Sequence, residues 1–274
     1  MSHELCDPER LVETISRIKR KFVVLSGKGG VGKSTVAVNL AVSLALSGKK
    51  VGLLDTDLHG PSVPKMLGLE HFATSGDDTH LEPAEKYDGQ LKVMSVQFLL
   101  RNMNDSVIWR GPLKHSVISQ FIGYTVWGDL DYLIIDSPPG TGDEPLSVVQ
   151  TAKPDGAIIV TTPQDIATFD VRKSIDFCDK LNLKITGVIE NMSGFNCPHC
   201  GQSTDIFSSG GGETMAKEIG VPFLGRIPID PSFVSLSDSG KVFMESDTNS
   251  VTLESMRKIV DKIINSDSTI GCNC

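Results

Sequence analysis

Gly27-Lys28-Gly29-Gly30-Val31-Gly32-Lys33-Ser34-Thr35 is the stretch from which the rest of the chain can be read. From Gly27 to Ser34 it fits the pattern GxxxxGK[ST] of a phosphate-binding loop, with an extra lysine, Lys28, near its start. Glycines let the backbone curl so that successive N–H groups point inward at a phosphate chain. Lys33 can then reach the terminal phosphates, and the Ser34 hydroxyl can ligate Mg²⁺. Upstream, Phe22-Val23-Val24-Leu25 reads as a buried strand; downstream, Ser34 to Leu46 has apolar and small residues at helical spacing. Strand, glycine loop and helix N-terminus in that order form an anion site. The chain is therefore predicted to bind a nucleoside triphosphate through Gly27, Lys28, Gly29, Gly30, Val31, Gly32, Lys33, Ser34 and Thr35.

Working outward, strand-like apolar runs recur at 22–26, 51–55, 91–96, 132–136, 156–161, 184–190 and 223–227. Most are separated by segments with helical patterning, which indicates parallel crossovers. Continuous runs such as Tyr132 to Ile135 and Ala157 to Val160 suit strands covered on both faces. The predicted fold is α/β, a doubly wound, mostly parallel sheet of about seven or eight strands flanked by helices. Residues 1–20 read as a helical lead-in, with a helix from Pro8 to Lys19, and 21–265 as a single ATPase domain. Residues 266–274 read as a flexible cysteine-containing tail, and the polar stretch 73–90 as a surface excursion.

The net charge of −8 argues against nonspecific binding to nucleic acid or to an anionic membrane, where basic excess drives affinity. No apolar run approaches the roughly 18 residues that span a bilayer, and the first residues carry no signal-peptide core. A cytoplasmic protein is expected. Leu253, Met256, Val260, Ile263 and Ile264 make an apolar helical stripe, but acidic residues offset its basic ones, so it is expected to dock on the domain instead of on a membrane.

Two acidic segments complete the nucleotide site. Val51-Gly-Leu-Leu-Asp55-Thr-Asp57 sets carboxylates at the C-terminal end of a strand, the edge where open α/β sheets bind ligands. Leu130 to Asp136 has the form of a Walker B strand, whose terminal Asp136 would bind Mg²⁺ directly or through water. The loop from Ser137 to Asp143 that follows could sense the γ-phosphate. Any one of these aspartates could be an ordinary helix N-cap; their concentration at strand ends favours Mg²⁺ and water. Lys28 has little room to fold onto its own nucleotide, so it is either a solvated lysine or one that reaches a second subunit.

Cys197-Pro-His-Cys200 can grip one tetrahedral metal ion or one edge of a cluster. Two thiolates are too few for either. The missing pair comes from Cys272 and Cys274 or from a symmetry mate. A zinc half-ribbon, a bridging iron–sulfur cluster and a redox disulfide all remain open on the spacing alone. Cys178, in a helical-looking segment, reads as a small core residue. Trp109-Arg110-Gly-Pro112 could be a contact for a partner or could be core, and His59 and His115 read as surface or packing residues.

The Gly27–Thr35 loop resembles the deviant Walker A of the MinD/ParA/nitrogenase-iron-protein class, in which a signature lysine acts in trans within an ATP-sandwiched dimer. That resemblance implies that Lys28 works across the interface, that Asp55 and Asp57 form switch I with Asp57 orienting the attacking water, and that Asp136 to Asp143 form switch II. It also implies that Asn191 and Asp230 contact adenine. With Asp55 to Ser62, Val107 to Pro112, Glu190 to Gly194 and Cys197 to Cys200, the chain is similar, over roughly residues 20–265, to the Mrp/ApbC family of P-loop iron–sulfur cluster carriers. The resemblance implies a homodimer that binds ATP and Mg²⁺, hydrolyses ATP slowly and holds a labile 4Fe–4S cluster on Cys197 and Cys200 of both subunits. A cluster donor and recipient apo-proteins would be its partners. The alternative is a MinD/ParA-type ATPase switch with a structural zinc site.

Overall fold

The structure, a computed structural model, describes residues 6–58, 60–77, 79–99, 111–197, 200, 202–246 and 250–268. Its centre is a nine-stranded mixed sheet. The strands of the chain are β1 (Ile18–Leu25), β2 (Val51–Asp55), β3 (Gly76–Asp77), β4 (His80–Leu81), β5 (Ala84–Lys86), β6 (Leu91–Ser95), β7 (Leu130–Asp136), β8 (Gly156–Thr161), β9 (Ile185–Asn196), β10 (Ser203–Thr204) and β11 (Phe223–Ile229). The sheet runs β10-β9-β8-β1-β7-β2-β6-β5, with β11 also paired to β9; β3 and β4 form a separate ribbon. Pairing is parallel except for β5 against β6 and β10 against β9.

The helices are α1 (Pro8–Ser16), α2 (Lys33–Leu46), α3 (Val63–Met66), α4 (Gly111–Gly123), α5 (Asp143–Ala152), α6 (Asp165–Lys180), α7 (Gly211–Ile219), α8 (Pro231–Asp238) and α9 (Val251–Ser268). Because the crossovers lay helices on both faces, the central strands are buried throughout: Val23, Val24, Leu133, Ile134, Ile135 and Ala157 to Val160 are wholly inaccessible. In α2 the small residues Ala37, Ala41 and Ala45 are buried, so its axis can lie close to the strands. The α9 stripe is docked, with Leu253, Met256, Val260 and Ile263 buried where the helix packs on β11 and α2. Cys178 is likewise a buried core residue.

Every strand expected from the sequence is present. Two expectations need correction. The first helix ends at Ser16, and Lys19 already lies in β1; its ammonium pairs with Asp131 at 2.7 Å across the β1/β7 ladder. The stretch 73–90 is not only an excursion, since it contributes the edge strand β5 as well as the β3/β4 ribbon. Trp109, Arg110, His59, Cys272 and Cys274 lie outside the described residues.

Candidate functional site

β1 is a central strand, and the loop that leaves its C-terminal end turns directly into α2. The loop closes on itself, with the Ser26 hydroxyl donating to the Lys28 carbonyl at 3.0 Å. Gly32 stands at φ +82, the left-handed conformation that starts α2, and a Cβ there would come within 2.2 Å of Asn191 Nδ2. Only glycine meets both demands. No side chain caps α2, so its first-turn N–H groups remain open to an anion.

Lys33 and Asp136 meet behind the loop. The Lys33 ammonium donates to Asp136 Oδ1 at 2.5 Å and lies 3.3 Å from Ser34 Oγ. The β2/β7 register sets Asp55 directly opposite Asp136. Both carboxyls are fully buried. Burial, reinforced by the neighbouring Asp136, pushes Asp55 up to about 8; burial also raises Asp136, with Lys33 opposing it. The buried Oδ2 of Asp136 has no hydrogen-bond partner. An orphaned carboxylate oxygen beside the Ser34 hydroxyl fits a hard cation or a water bound to one. Asp57 is half-buried just beyond β2, its backbone N–H on Asp55 Oδ1 at 3.1 Å and its own Oδ1 accepting from Gly60 N–H at 3.1 Å. Lys28 is half-buried, and its ammonium makes no ion pair among the described residues.

Next to the loop lies a cavity of about 320 Å³ whose lining includes Gly32, Thr35, Asn191 and Asp230. Its remaining walls are largely apolar, with Met192, Phe207, Ile227, Pro228 and Phe233 among them. An apolar slot with a few polar groups at its rim suits a heterocyclic base. Asn191 is held by donating to the Val31 carbonyl at 2.8 Å. Asp230 caps α8, accepting from Ser232 N–H at 3.0 Å. The two residues singled out in the sequence for adenine contact therefore line one cavity with the loop. Phe207 and Met192 were not anticipated, because nothing in the sequence brings residue 207 back to the loop at residue 32.

β9 continues past Asn191 to Asn196 and turns at Cys197, with β10 returning antiparallel: Ser203 faces Asn196 and Thr204 faces Phe195. The Cys197 N–H donates to the Gln202 carbonyl at 2.9 Å, which extends the ladder by a step. Cys197 and Cys200 thus sit at the tip of a β-hairpin, the first half-buried and the second exposed, neither of them in a disulfide. No cluster of three or more His, Cys, Asp or Glu side chains with metal-binding geometry occurs among the described residues.

The hairpin is anchored by a residue to which the sequence reading gave no role of its own. Glu190, wholly buried, accepts from Gly210 N–H at 2.8 Å, Gly212 N–H at 2.5 Å and Ser193 Oγ at 2.5 Å. Its carboxylate serves the N-terminus of α7, where an anion is favoured. Three successive glycines at 210–212, a backbone with bare N–H groups, were the available signal.

The relationships of the chain agree with this geometry. The family described as ParA, NUBPL iron-transfer P-loop NTPase, matches residues 17–264. The cytosolic Fe-S cluster assembly factor CFD1 of Kluyveromyces lactis is 52% identical, over 94% of this chain and 95% of that protein. The iron-sulfur cluster carrier protein of Methanocaldococcus jannaschii is also 52% identical, over 93% and 87%. Among solved structures, a nucleotide-binding protein from Archaeoglobus fulgidus in complex with ADP superposes with a TM-score of 0.77 at 44% identity, covering 87% of this chain and 94% of that one. The cell-division ATPase MinD of Pyrococcus furiosus, at 23% identity and a TM-score of 0.67 over 90% and 99%, shares the fold. This chain belongs to the NUBPL iron-transfer P-loop NTPase family.

Proposed function

We propose that the protein is a cytosolic, ATP-dependent carrier that holds a 4Fe–4S cluster between the Cys197/Cys200 pairs of two copies, hydrolyses ATP slowly and hands the cluster to apo-proteins. The observation that carries the reading is the pair of cysteines, neither in a disulfide, at the tip of a hairpin whose base lines the cavity beside the phosphate loop. A 4Fe–4S cluster takes four thiolates, and one hairpin supplies two, so a two-fold pair of chains supplies the set. The names of the relatives support iron–sulfur cargo, and the ADP in the related structure supports a nucleotide in the cavity. No helix among the described residues is long and apolar enough to cross a membrane.

In this reading Lys33 leaves Asp136 for the β- and γ-phosphates when nucleotide arrives, and the N–H groups of Gly29 to Thr35 hold the phosphate oxygens. Lys28 reaches the phosphates of the partner subunit. Asp57 orients the attacking water from its half-buried position at the end of β2. Ser34 and Asp136, the latter directly or through water, would hold Mg²⁺, which would supply charge neutralisation on the phosphate oxygens. Asn191 and Asp230 select adenine. Movement of the 55–62 and 136–143 segments on hydrolysis changes the dimer arrangement and with it cluster retention.

The test is anaerobic reconstitution with iron and sulfide, counting iron, sulfide and zinc per dimer in the wild type and in Cys197→Ala/Cys200→Ala. About four irons and four sulfides per dimer, lost in the double variant, are expected. Zinc that resists displacement, or a full cluster retained by the double variant, would refute the ligand assignment.

A further inference from the structure

The nucleotide cavity is lined by the ascending leg of the cysteine hairpin and by the segment that follows its descending leg. Asn191 and Met192 belong to the ascending leg, β9; Phe207 belongs to the segment that follows the descending leg, β10. From Asn191 to Cys197 the ascending leg covers at most about 20 Å, the span of a regular strand of that length. The segment 205–209 is a short strut pinned at both ends. At one end Thr204 pairs with Phe195; at the other Gly210 N–H is held by buried Glu190 at 2.8 Å. Between the pins, Asp205 Oδ2 accepts from Ser209 Oγ at 3.2 Å, and Ser208 sits at φ +81, a left-handed conformation without a glycine to relax it. The strut presents the Phe207 ring at the cavity wall, yet the residue is 45% exposed. An aromatic ring left half in water at the edge of an apolar slot gains by being covered. Pro228, Ile229 and Phe233 contribute to the same apolar slot, which leaves room for a planar base against the ring.

We infer that Phe207 is a positioning residue that couples base occupancy of the cavity to the geometry of the Cys197/Cys200 hairpin. The inference rests on the nucleotide reading above and adds a route, within one subunit, that does not pass through the aspartate switches. Asn191 ties the ascending leg to the phosphate loop already in the ligand-free protein, through its 2.8 Å bond to Val31. The Phe207 contact is made only when a base is present. A base packed on the ring orders the strut, the strut orders β10, and the thiols at the tip become less open to attack.

The experiment uses the full-length, reduced, cluster-free protein. Carbamidomethylation rates at Cys197 and Cys200 are followed by peptide mass spectrometry, with fully buried Cys178 as the internal control. Rates are compared without ligand, with ADP, and with inorganic tripolyphosphate, which fills the phosphate loop but carries no base; titration sets saturation for each variant. ADP is expected to slow both cysteines by at least about fivefold relative to tripolyphosphate, a modest coupling. Phe207→Ala is expected to bind ADP more weakly and, at saturation, to lose that difference, and Phe207→Trp to restore both. The inference is overturned if tripolyphosphate protects as well as ADP, if ADP leaves the wild-type rates unchanged, or if Phe207→Ala is protected like the wild type. It is also overturned if Phe207→Ala loses ADP altogether, since the ring would then belong to the binding site alone. Cluster reconstitution on the wild type reports separately on the carrier reading: a protein that shows ADP protection but takes no cluster refutes that reading and leaves the coupling intact.

Discussion

Asp55→Asn should stabilise the nucleotide-free protein at neutral pH and leave it unchanged near pH 4. Asp55 is wholly buried opposite Asp136, and burial together with that neighbour pushes it up to about 8. In the unfolded chain an aspartate titrates near 3.9, a value of about 4. Between those two values the folded protein holds a proton that the unfolded chain has released, so stability falls as pH rises, by about 1.4 kcal/mol per pH unit. The loss begins above about pH 4, levels off above about pH 8, and amounts to about 4 kcal/mol at pH 7. With solvent entering the open cleft, about 2–4 kcal/mol is the expected difference, or about 3–7 °C in Tm for a domain of this size. Asparagine preserves the local bonding: its oxygen accepts from Asp57 N–H, as Asp55 Oδ1 does at 3.1 Å. Its amide meets the Ser95 hydroxyl, which now lies 3.2 Å from Oδ2 and can rotate to accept. Urea-unfolding midpoints of both proteins from pH 4.5 to 8.5 test this. Parallel curves, or an asparagine variant less stable at pH 7.5, would refute the argument.

Lys33→Ala should abolish nucleotide binding by isothermal titration. It should also destabilise the free protein by about 3 kcal/mol at pH 8 and less at pH 5, because protonating Asp136 then replaces the lost cation. Gly32→Ala forces a Cβ to within 2.2 Å of Asn191 Nδ2 at φ +82, and a cost of about 1–3 kcal/mol with loss of ADP affinity is expected; unaltered ADP binding would contradict the loop geometry. Cys178, where burial pushes the thiol up to about 12, should resist alkylation in the folded protein while Cys197 and Cys200 react, and equal labelling of all three would count against the described burial. Glu190→Gln replaces one of the two acceptor oxygens that serve Gly210 and Gly212 N–H with an NH2 donor, so faster amide hydrogen exchange across 205–215 is expected at a local cost of about 1–3 kcal/mol.

What could be read from the sequence was what is local and periodic. The loop at 27–35, the long apolar strands and the docked stripe of α9 announce themselves through spacing, because glycine conformation and burial are written residue by residue. What escaped depends on register and return paths. The start of β1, Ile18-Lys-Arg-Lys21, looks like the basic end of a helix; tertiary pairing makes it a strand, with Lys19 on Asp131 and Lys21 on Asp155 at 3.4 Å. Asp55 and Asp136 were each recognisable at a strand end, but only the β2/β7 register sets them opposite one another. The extension of β9 to Asn196 passes through Met192 at φ +58 and Gly194 at φ +74, a local conformation that propensity does not foresee. Phe207 shares a wall with Asn191 only because the hairpin folds back.

The two ends of the main sheet bear on how these chains can associate. An exposed edge strand offers a ladder of bare N–H and C=O groups to any extended peptide. Here β5 is three residues long and carries Glu85 and Lys86. At the other end β10 is two residues long, and β11, which shares β9 with it, is broken by register shifts and contains Pro228, while Lys262 of α9 occupies the Leu224 carbonyl at 2.8 Å. Neither end gives an incoming strand a regular template, so the fold carries its own protection against strand-by-strand polymerisation. Two copies that come together must then recognise each other through loops and side chains, which keeps their union separable.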